Sequence, residues 1–252
     1  MNDPLLDQLI DLSRYLGDPS RGYAILGEGN TSVRIDAEHF WVKASGTTMG
    51  TIEASGFVKV HHPTVMAILD DPSAGDDEVT RVLKACLVDP AETRRPSVET
   101  MLHALLLAYP EIRFVGHTHP VYTNVLLCSK VAEEATAGRI FPDQIVSMGH
   151  KSVFIPYVDP GLPLAREVKR RVEAYIEEEG VLPKAIVMKN HGLIVVGDSP
   201  KAITSATDMS EKASRILVGA YSIGGPNWMT PEDVSRIYTR PDEHYRHSRI
   251  AS

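Results

Sequence analysis

The stretch from Ala185 to Val196 constrains the fold more than any other part of this sequence. It contains two apolar strands on either side of a polar turn formed by Asn190, His191 and Gly192. Strands joined by so short a turn pair antiparallel. The rest of the chain must therefore be arranged around at least one tight strand pair.

Further short strands alternate along the chain with amphipathic helices. The predicted strands are Asn30 to Asp36, Phe40 to Ala44, Phe114 to Thr118 and Ser152 to Pro156. The predicted helices are Leu5 to Leu12, Pro96 to Tyr109 with Ser97 as N-cap, Leu164 to Glu179, and Pro200 to Ala220. This order predicts a mixed, largely antiparallel sheet covered by helices on both faces, an α/β fold that is not doubly wound.

Composition excludes several classes of protein. The net charge of −7 is not gathered into blocks, so no nucleic acid is expected as a partner. No apolar run reaches the roughly 18 residues that cross a bilayer, and Asp3 stands where a signal peptide carries positive charge. We therefore expect no membrane association and a cytoplasmic location. Cys86 and Cys128 are predicted to be buried thiols rather than a disulfide. Residues 1–252 are predicted to form a single domain.

His117 and His119, in the segment GHTHP, are candidate metal ligands. Alternate side chains of a strand point to the same side, so one metal ion can bridge the two imidazoles. The same pair also fits two solvated or core histidines at the end of a strand. Both interpretations stay open on this motif alone.

A third histidine, His191, lies in the turn of KNHGL, where a polar ring has no reason to pack unless it faces a cleft or a ligand. Three histidines without a fourth protein ligand describe a catalytic zinc site, because the open position must receive water or substrate. The remaining histidines are interpreted as surface or helix residues: His39, His61, His62, His103, His150, His244 and His247. Among them, His103 is the best candidate to support the site.

Glu99 is the candidate acid/base. It lies near the start of the predicted helix that leads into the strand carrying the paired histidines, where a carboxylate is electrostatically favoured. The alternative is an ordinary glutamate of a first helical turn. Beside a divalent cation in a partly dry pocket, a carboxylate becomes a proton shuttle with an adjustable pKa.

Five motifs, in this order, resemble the class II aldolase and adducin-head family. They are GEGNTSVR at 27–34, VKASG with Ser45 and Gly46, PSVET with Glu99, GHTHP, and NHGL. The resemblance runs from the first predicted helix to about Ala220. It implies a three-layer αβα fold with a central, mainly antiparallel sheet. It also implies a cyclic homotetramer with active sites at the subunit contacts.

The resemblance implies the site and its reaction as well. Zinc would be bound by His117, His119 and His191, with Mn²⁺ or another divalent cation as alternatives, and Glu99 would act as acid/base. The substrate would be a sugar phosphate or hydroxyketone acid. Retro-aldol cleavage of a ketose 1-phosphate leaves an enediolate, whose charge the cation stabilises. The predicted substrate-binding residues are Gly29, Asn30, Ser45, Gly46 and Ser97.

Two departures from the family pattern alter the predicted phosphate site. Gly27 and Glu28 stand where the sugar-phosphate enzymes usually have Thr-Ser, and Val98 replaces one of two paired serines. A carboxylate at Glu28 would repel a phosphate. The glycine-rich loop and the PSVET and FPDQ segments look closer to the aldolase halves of fused rhamnulose phosphate aldolase/dehydrogenase proteins.

A third departure concerns a general acid. Fuculose phosphate aldolases supply a tyrosine from a neighbouring subunit, and the matching position here falls at Pro160 or Gly161, with Tyr157 displaced nearby. The tail at 225–252, with a helix predicted to be capped by Thr230, could form a flap over a neighbour's site. Three aromatic residues there are candidates to cover the substrate or to replace the missing tyrosine as the acid: Trp228, Tyr238 and Tyr245.

The sequence leaves three functions open. The first is an aldolase. The second is a metal-dependent decarboxylase of a keto or hydroxyaromatic acid, because loss of carbon dioxide generates the same kind of enolate. The third is a non-catalytic interaction module like the adducin head, which lacks the metal ligands. Retention of all three histidines and Glu99 argues against the third.

Overall fold

Seven short strands form one sheet in residues 3–242, the part of the chain that the computed structural model describes. The strands are β1 (Asn30–Arg34), β2 (His39–Lys43), β3 (Phe57–His61), β4 (Phe114–Thr118), β5 (Val153–Ile155), β6 (Ala185–Met188) and β7 (Gly192–Gly197). Their order is β3-β2-β1-β4-β7-β6-β5. Every neighbouring pair is antiparallel except β5 with β6, which confirms the predicted mainly antiparallel sheet.

Ten helices occur in the described residues. They are α1 (Pro4–Leu16), α2 (His62–Leu69), α3 (Asp76–Ala85), α4 (Thr100–Leu107), α5 (Val121–Leu127), α6 (Ala132–Ala137), α7 (Pro142–Met148), α8 (Leu162–Glu179), α9 (Pro200–Ser222) and α10 (Pro231–Thr239). None of the helices within 3–242 combines the length and apolar composition that crossing a membrane requires.

The sheet separates two apolar cores. Along β7, Ile194 and Val196 join a core with α2, α4 and α8, whereas Leu193 and Val195 face the opposite core with α1 and α9. This is the period-two alternation of a strand that is buried on both faces. The predicted three-layer αβα fold is confirmed.

Helix α4 begins later than the sequence suggested. The amide of Ser97 donates to the carbonyl of Lys43 at 3.1 Å, which keeps the segment before the helix paired with the end of β2. Glu99 therefore occupies the N-cap position, and the prediction of Ser97 as N-cap was wrong. All residues of α4 are buried, so this helix is apolar all round rather than on one face.

The two cysteines differ. Cys86 is buried after α3, where burial raises the pKa of its thiol to about 11. Cys128 is exposed at the end of α5, so its predicted burial was wrong. Helix α5 packs on α9, and Cys128 is the residue that follows its last, buried residue. Asp3 caps α1 by accepting from the amide of Leu5 at 3.0 Å.

The C-terminal region packs on its own chain as far as the structure describes it. Thr230 caps α10 as predicted, accepting from the amide of Asp233 at 3.2 Å. The Trp228 ring lies against Gly138, and the Tyr238 ring centroid is 4.7 Å from that of His150. Three residues discussed above lie outside the described residues: His244, Tyr245 and His247.

Candidate metal centre and active site

Two central strands bring the three predicted histidine ligands together. His117 lies on β4 and His119 follows it, while His191 lies in the turn before β7, which pairs with β4. One nitrogen from each ring lies within 4.8 Å of the other two. The Nε2 atoms of His117 and His119 are 3.0 Å apart. These distances suit three ligands of one cation.

The protein holds His117 in a ligand-competent form. Its Nδ1 lies 3.0 Å from the carbonyl oxygen of Leu193, which can only accept, so the ring proton is on Nδ1. The Nε2 lone pair then points toward the other histidines, as in metal sites where a carbonyl orients the ligand. Burial lowers the pKa of His117 to about 4. Burial, together with the neighbouring His117 and His191, lowers the pKa of His119 to about 4 as well.

Two glycines let the backbone approach these ligands. A Cβ on Gly192 would lie 2.6 Å from the carbonyl oxygen of Thr118 and 2.7 Å from Cδ2 of His119. A Cβ on Gly29 would lie 2.7 Å from the carbonyl oxygen of His117, and Gly29 also has a φ of +67°. Both contacts are too close for a side chain. The glycines of NHGL and GEGN are therefore required by close packing around the site.

Glu99 lies against two of these three rings. Its side chain is buried, with Oε2 3.4 Å from Nε2 of His117 and Oε1 3.2 Å from Nε2 of His191. Oε1 is nevertheless a buried atom without a well-formed hydrogen bond. A buried acceptor left without a partner is costly unless a ligand completes it.

Glu99 is ionised at neutral pH. Burial alone would raise its pKa, but the nearby His117 and the contacts from His191 and Asn30 outweigh burial and hold the pKa well below its usual range. Three imidazoles around a small space, beside a carboxylate, form a donor set that fits a divalent cation with a position left open. The residues present therefore fit a metal ion.

Asn30, Ser97 and His103 form the surroundings of Glu99. Asn30, at the start of β1, donates through Nδ2 to Oε2 of Glu99 at 2.7 Å and to Oγ of Ser97 at 3.2 Å. Nε2 of His103 is hydrogen-bonded to Oδ1 of Asn30. His103 thus supports Glu99 through Asn30 and contacts no metal ligand through any of its hydrogen bonds. The role of Asn30 and Ser97 in holding substrate stays a prediction.

Ser45 and Gly46 lie beside the segment that precedes Glu99. They form an exposed turn after β2, and the Ser45 amide donates to the carbonyl of Arg95 at 2.8 Å. The turn is thereby fixed beside the segment that leads to Glu99. Tyr157, in contrast, is 56% exposed, and its hydroxyl donates to the carboxylate of Asp159 at 3.1 Å rather than to any of the three histidines.

Sequence reasoning missed Lys43. This residue ends β2 and is only 3% exposed, with Nζ 3.4 Å from the carbonyl oxygen of Gly27. Burial lowers the pKa of its ammonium group, and the charge of Glu99 opposes that effect. Burying a lysine that has only one long hydrogen bond lowers the stability of the folded protein. The available signal was a lysine at the end of an apolar strand, two residues before Ser45.

Glu28 faces the centre from the glycine-rich loop. Its Oε1 lies 3.7 Å from Nδ1 of His119, and its Oε2 accepts from the amide of Ile25 at 2.9 Å. The carboxylate is thus held beside a candidate ligand.

Helix α5 fastens the turn that carries His191, which the sequence did not indicate. Nδ2 of Asn124 donates to the carbonyl oxygen of His191 at 3.1 Å, and the amide of Asn190 donates to the carbonyl of Leu127. The N-terminus of α5 follows His119 directly. The amides of its first turn have no partner within the helix and donate instead to the buried carboxylate of Glu211 on α9, from Tyr122 at 3.0 Å and Thr123 at 3.1 Å.

Curated relatives include several kinds of lyase. The chain is 26% identical to 3-oxo-tetronate 4-phosphate decarboxylase of Haemophilus influenzae over 78% of this chain and 80% of that protein. It is 30% identical to methylthioribulose-1-phosphate dehydratase of Yersinia pestis over 77% of each. It is 28% identical to the uncharacterised oxidoreductase YuxG of Bacillus subtilis over 80% of this chain. The match spans only 28% of YuxG.

Solved structures share the fold. The N-terminal class II aldolase domain of a Thermoplasma acidophilum protein superposes with a TM-score of 0.68 at 26% identity, covering 86% of this chain and 95% of that one. An L-fuculose 1-phosphate aldolase superposes with a TM-score of 0.69 at 18% identity, covering 98% of each chain. The profile of the Class II Aldolase and Adducin N-terminal domain matches residues 7–218. With the fold, the motifs and the histidine cluster in agreement, this chain belongs to the class II aldolase and adducin N-terminal domain family.

Proposed function

We propose that this chain is a metal-dependent carbon–carbon lyase acting next to the carbonyl of a phosphorylated ketose or hydroxyketone acid. One observation carries the proposal. A buried carboxylate, Glu99, keeps one oxygen without a hydrogen bond while it touches two of three converging imidazoles. That arrangement suits a group that moves a proton beside a cation.

The proposed metal ligands are His117, His119 and His191. Three nitrogen donors favour zinc, with Mn²⁺ or another divalent cation as the alternative. When bound, the ion would act as a Lewis acid toward charge developing on a substrate oxygen. The carbonyl of Leu193 keeps His117 in the tautomer that this binding requires.

Glu99 would transfer the proton at the substrate carbon next to the carbonyl. A carboxylate can accept a proton, and its protonated form can return one to carbon. Asn30 fixes the carboxylate by donating to Oε2, so the group does not swing away between the two steps.

The proposed substrate carries an anionic group near Lys43. This ammonium group is buried close to Glu99 and has only the Gly27 carbonyl as a hydrogen-bond partner in the described residues. The named substrates of the decarboxylase and dehydratase relatives are phosphorylated, which supports the same class here. The predicted contacts of that group are Gly29, Asn30, Ser45, Gly46 and Ser97.

Retro-aldol cleavage is the first candidate reaction and decarboxylation the second. Retro-aldol cleavage needs a base for the substrate hydroxyl as well as an acid for carbon, and Tyr157 is exposed and bonded to Asp159. Decarboxylation needs only the acid, because carbon dioxide leaves without giving up a proton. Curated decarboxylase relatives favour this second candidate.

A product assay tests the proposal. Metal-loaded protein is incubated with a panel of ketose 1-phosphates and phosphorylated keto acids, and Glu99→Gln serves as the inactive reference. Release of an aldehyde supports retro-aldol cleavage, and release of carbon dioxide supports decarboxylation. Loss of water without carbon–carbon cleavage would replace the proposal with a dehydratase. Less than about half an equivalent of metal per chain after supplementation would favour an interaction module.

The assembly and location belong to the same proposal. We propose a homotetramer in the cytoplasm, without nucleic acid or membrane as partner. Light scattering on the purified protein measures the number of subunits. A monomer that turns over the substrate would reject the tetramer while leaving the chemistry in place.

A further inference from the structure

Four buried side chains form a continuous hydrogen-bonded line that ends on Glu99. Oγ of Ser32 lies 2.6 Å from Nδ1 of His103, and Nε2 of the same ring bonds to Oδ1 of Asn30. Nδ2 of Asn30 then donates to Oε2 of Glu99 at 2.7 Å. Ser32 and His103 are fully buried, and Asn30 and Glu99 nearly so.

The contact at the end of this line fixes the direction of every hydrogen bond in it. Asn30 places its Nδ2 against Oε2 of Glu99, so its NH₂ group faces Glu99 and its carbonyl oxygen faces His103. His103 must then carry its proton on Nε2 and accept the hydroxyl proton of Ser32 on Nδ1. Burial lowers the pKa of His103 to about 4, which agrees with a neutral ring holding one proton.

The two oxygens of Glu99 consequently differ. Oε2 accepts from Asn30, while Oε1 has no hydrogen bond of good geometry. We propose that Asn30 and His103 are positioning residues that reserve Oε1 of Glu99 for the transferred proton. This inference rests on the proposed lyase function.

The proton balance of the step is simple. Protonated Glu99 would place its O–H on Oε1, since a hydrogen on Oε2 would meet the N–H of Asn30. Glu99 takes up this proton from the substrate hydroxyl in retro-aldol cleavage, or from water in decarboxylation. The carbon–carbon bond breaks and leaves its electron pair on the substrate carbon, the proton passes from Oε1 to that carbon, and Glu99 returns to the carboxylate. No oxidant or reductant is involved. His103 keeps the Asn30 amide from flipping. A flipped amide would turn its NH₂ group toward the Nε2–H of His103 and its oxygen toward the carboxylate of Glu99.

The first test replaces Asn30 with aspartate, which keeps the acceptor for His103 and removes the donor to Glu99. We expect Asn30→Asp to lower kcat by roughly 10²-fold while KM changes less than about threefold. Metal content should stay unchanged. If Asn30 acts only by binding the substrate's anionic group, KM will rise at nearly constant kcat, and that result overturns the proposal.

A pair of variants at His103 separates positioning from packing. His103→Gln retains an N–H that can reach Oδ1 of Asn30, whereas His103→Leu removes it at similar volume. We expect the glutamine variant to keep kcat within about fivefold and the leucine variant to lose roughly as much as Asn30→Asp. Equal losses in both folded variants would contradict the proposal.

A measurement without substrate keeps the inference independent of the proposed function. Nitrogen-15 NMR of the metal-loaded wild-type protein reports which ring nitrogen of His103 carries the proton. The Nε2–H tautomer is expected, and an Nδ1–H tautomer overturns the proposal even if the variants lose activity. If no substrate is turned over, the proposed lyase function fails. The tautomer of His103 still tests the direction of the hydrogen bonds from Ser32 to Glu99.

Discussion

The side-chain amide of Asn124 donates a hydrogen bond of 3.1 Å to the backbone carbonyl of His191. Asn124 lies on α5, which begins two residues after His119. This short helix is therefore joined to the backbone of one candidate ligand, His119, and hydrogen-bonded to the backbone of another, His191. Glu211 fixes the start of that helix through its amides. The position of His191 thus depends on contacts made well outside the metal centre.

Removing the Asn124 amide should weaken metal binding. We expect Asn124→Ala to lower the affinity for zinc by about 10- to 100-fold, as loss of groups that orient ligands does in other sites. Competition with a chromophoric chelator measures the affinity. The control is Val125→Ala, the next residue on α5, whose side chain is 47% exposed. Equal affinities for both variants would show that the turn holds its shape without Asn124.

Glu99→Gln should separate chemistry from binding. The amide has nearly the same shape but is a poor proton acceptor, so kcat should fall by roughly 10²- to 10⁴-fold. Metal content should remain that of the wild type, because the three histidines are untouched. Glu111→Gln, an exposed glutamate on the loop before β4, should leave turnover unchanged. A Glu99→Gln enzyme with wild-type kcat would assign the proton transfer elsewhere.

Substitution of a candidate ligand should abolish metal binding and the stability that metal provides. His191→Ala is expected to hold less than about a tenth of an equivalent of zinc after dialysis. Added metal should stabilise the wild type by about 2.7 kcal/mol at 100 times its dissociation constant, and the variant by almost nothing. Calorimetry with and without zinc measures the difference. His39→Ala, which changes a histidine bonded to Asp36, should behave as the wild type.

Lys43 should govern the affinity for an anionic substrate. Lys43→Met keeps the aliphatic stem and removes the charge, so KM for a phosphorylated substrate should rise by about 10- to 100-fold, the loss of a charge-assisted hydrogen bond. Steady-state kinetics measures KM and kcat separately. Lys59→Met on the neighbouring strand β3 is the matched control. A lower KM in Lys43→Met would mean that the buried cation opposes substrate binding.

His103 should make the metal-free protein less stable as the pH falls. Its pKa is lowered from 6.5 to about 4 on folding, so the unfolded chain binds more protons between these values. The stabilising contribution is fully present above 6.5 and is lost as the pH falls toward 4. The loss amounts to about 1.4 kcal/mol per pH unit at most. Urea unfolding of the wild type and of His103→Gln at several pH values measures the slopes. Identical slopes would contradict the prediction.

Much of the fold followed from local pattern. The turn at Asn190 to Gly192 between two apolar strands predicted the pair β6 and β7, and His-x-His predicted that the rings of His117 and His119 share a side. His191, the third predicted ligand, reaches that side because β4 and β7 are neighbours. Helix lengths and caps, such as Thr230 before α10, also depend on residues close in sequence.

The errors and omissions share a physical cause. Ser97 has the composition of an N-cap, but its amide is committed to the carbonyl of Lys43, a residue remote in sequence. Lys43 and Asn124 gain their significance from partners on other elements. Such pairings are created by strand order and helix packing, which local periodicity does not encode.

The pairing of β4 with β7 also dictates when a cation could first be held firmly. A chain in which these strands have not yet met offers only the adjacent rings of His117 and His119, because His191 is still distant. Tight uptake must therefore trail the closure of the middle of the sheet, a slow long-range event in folding. The rate at which a refolding chain binds zinc tightly would then report the rate at which β4 pairs with β7.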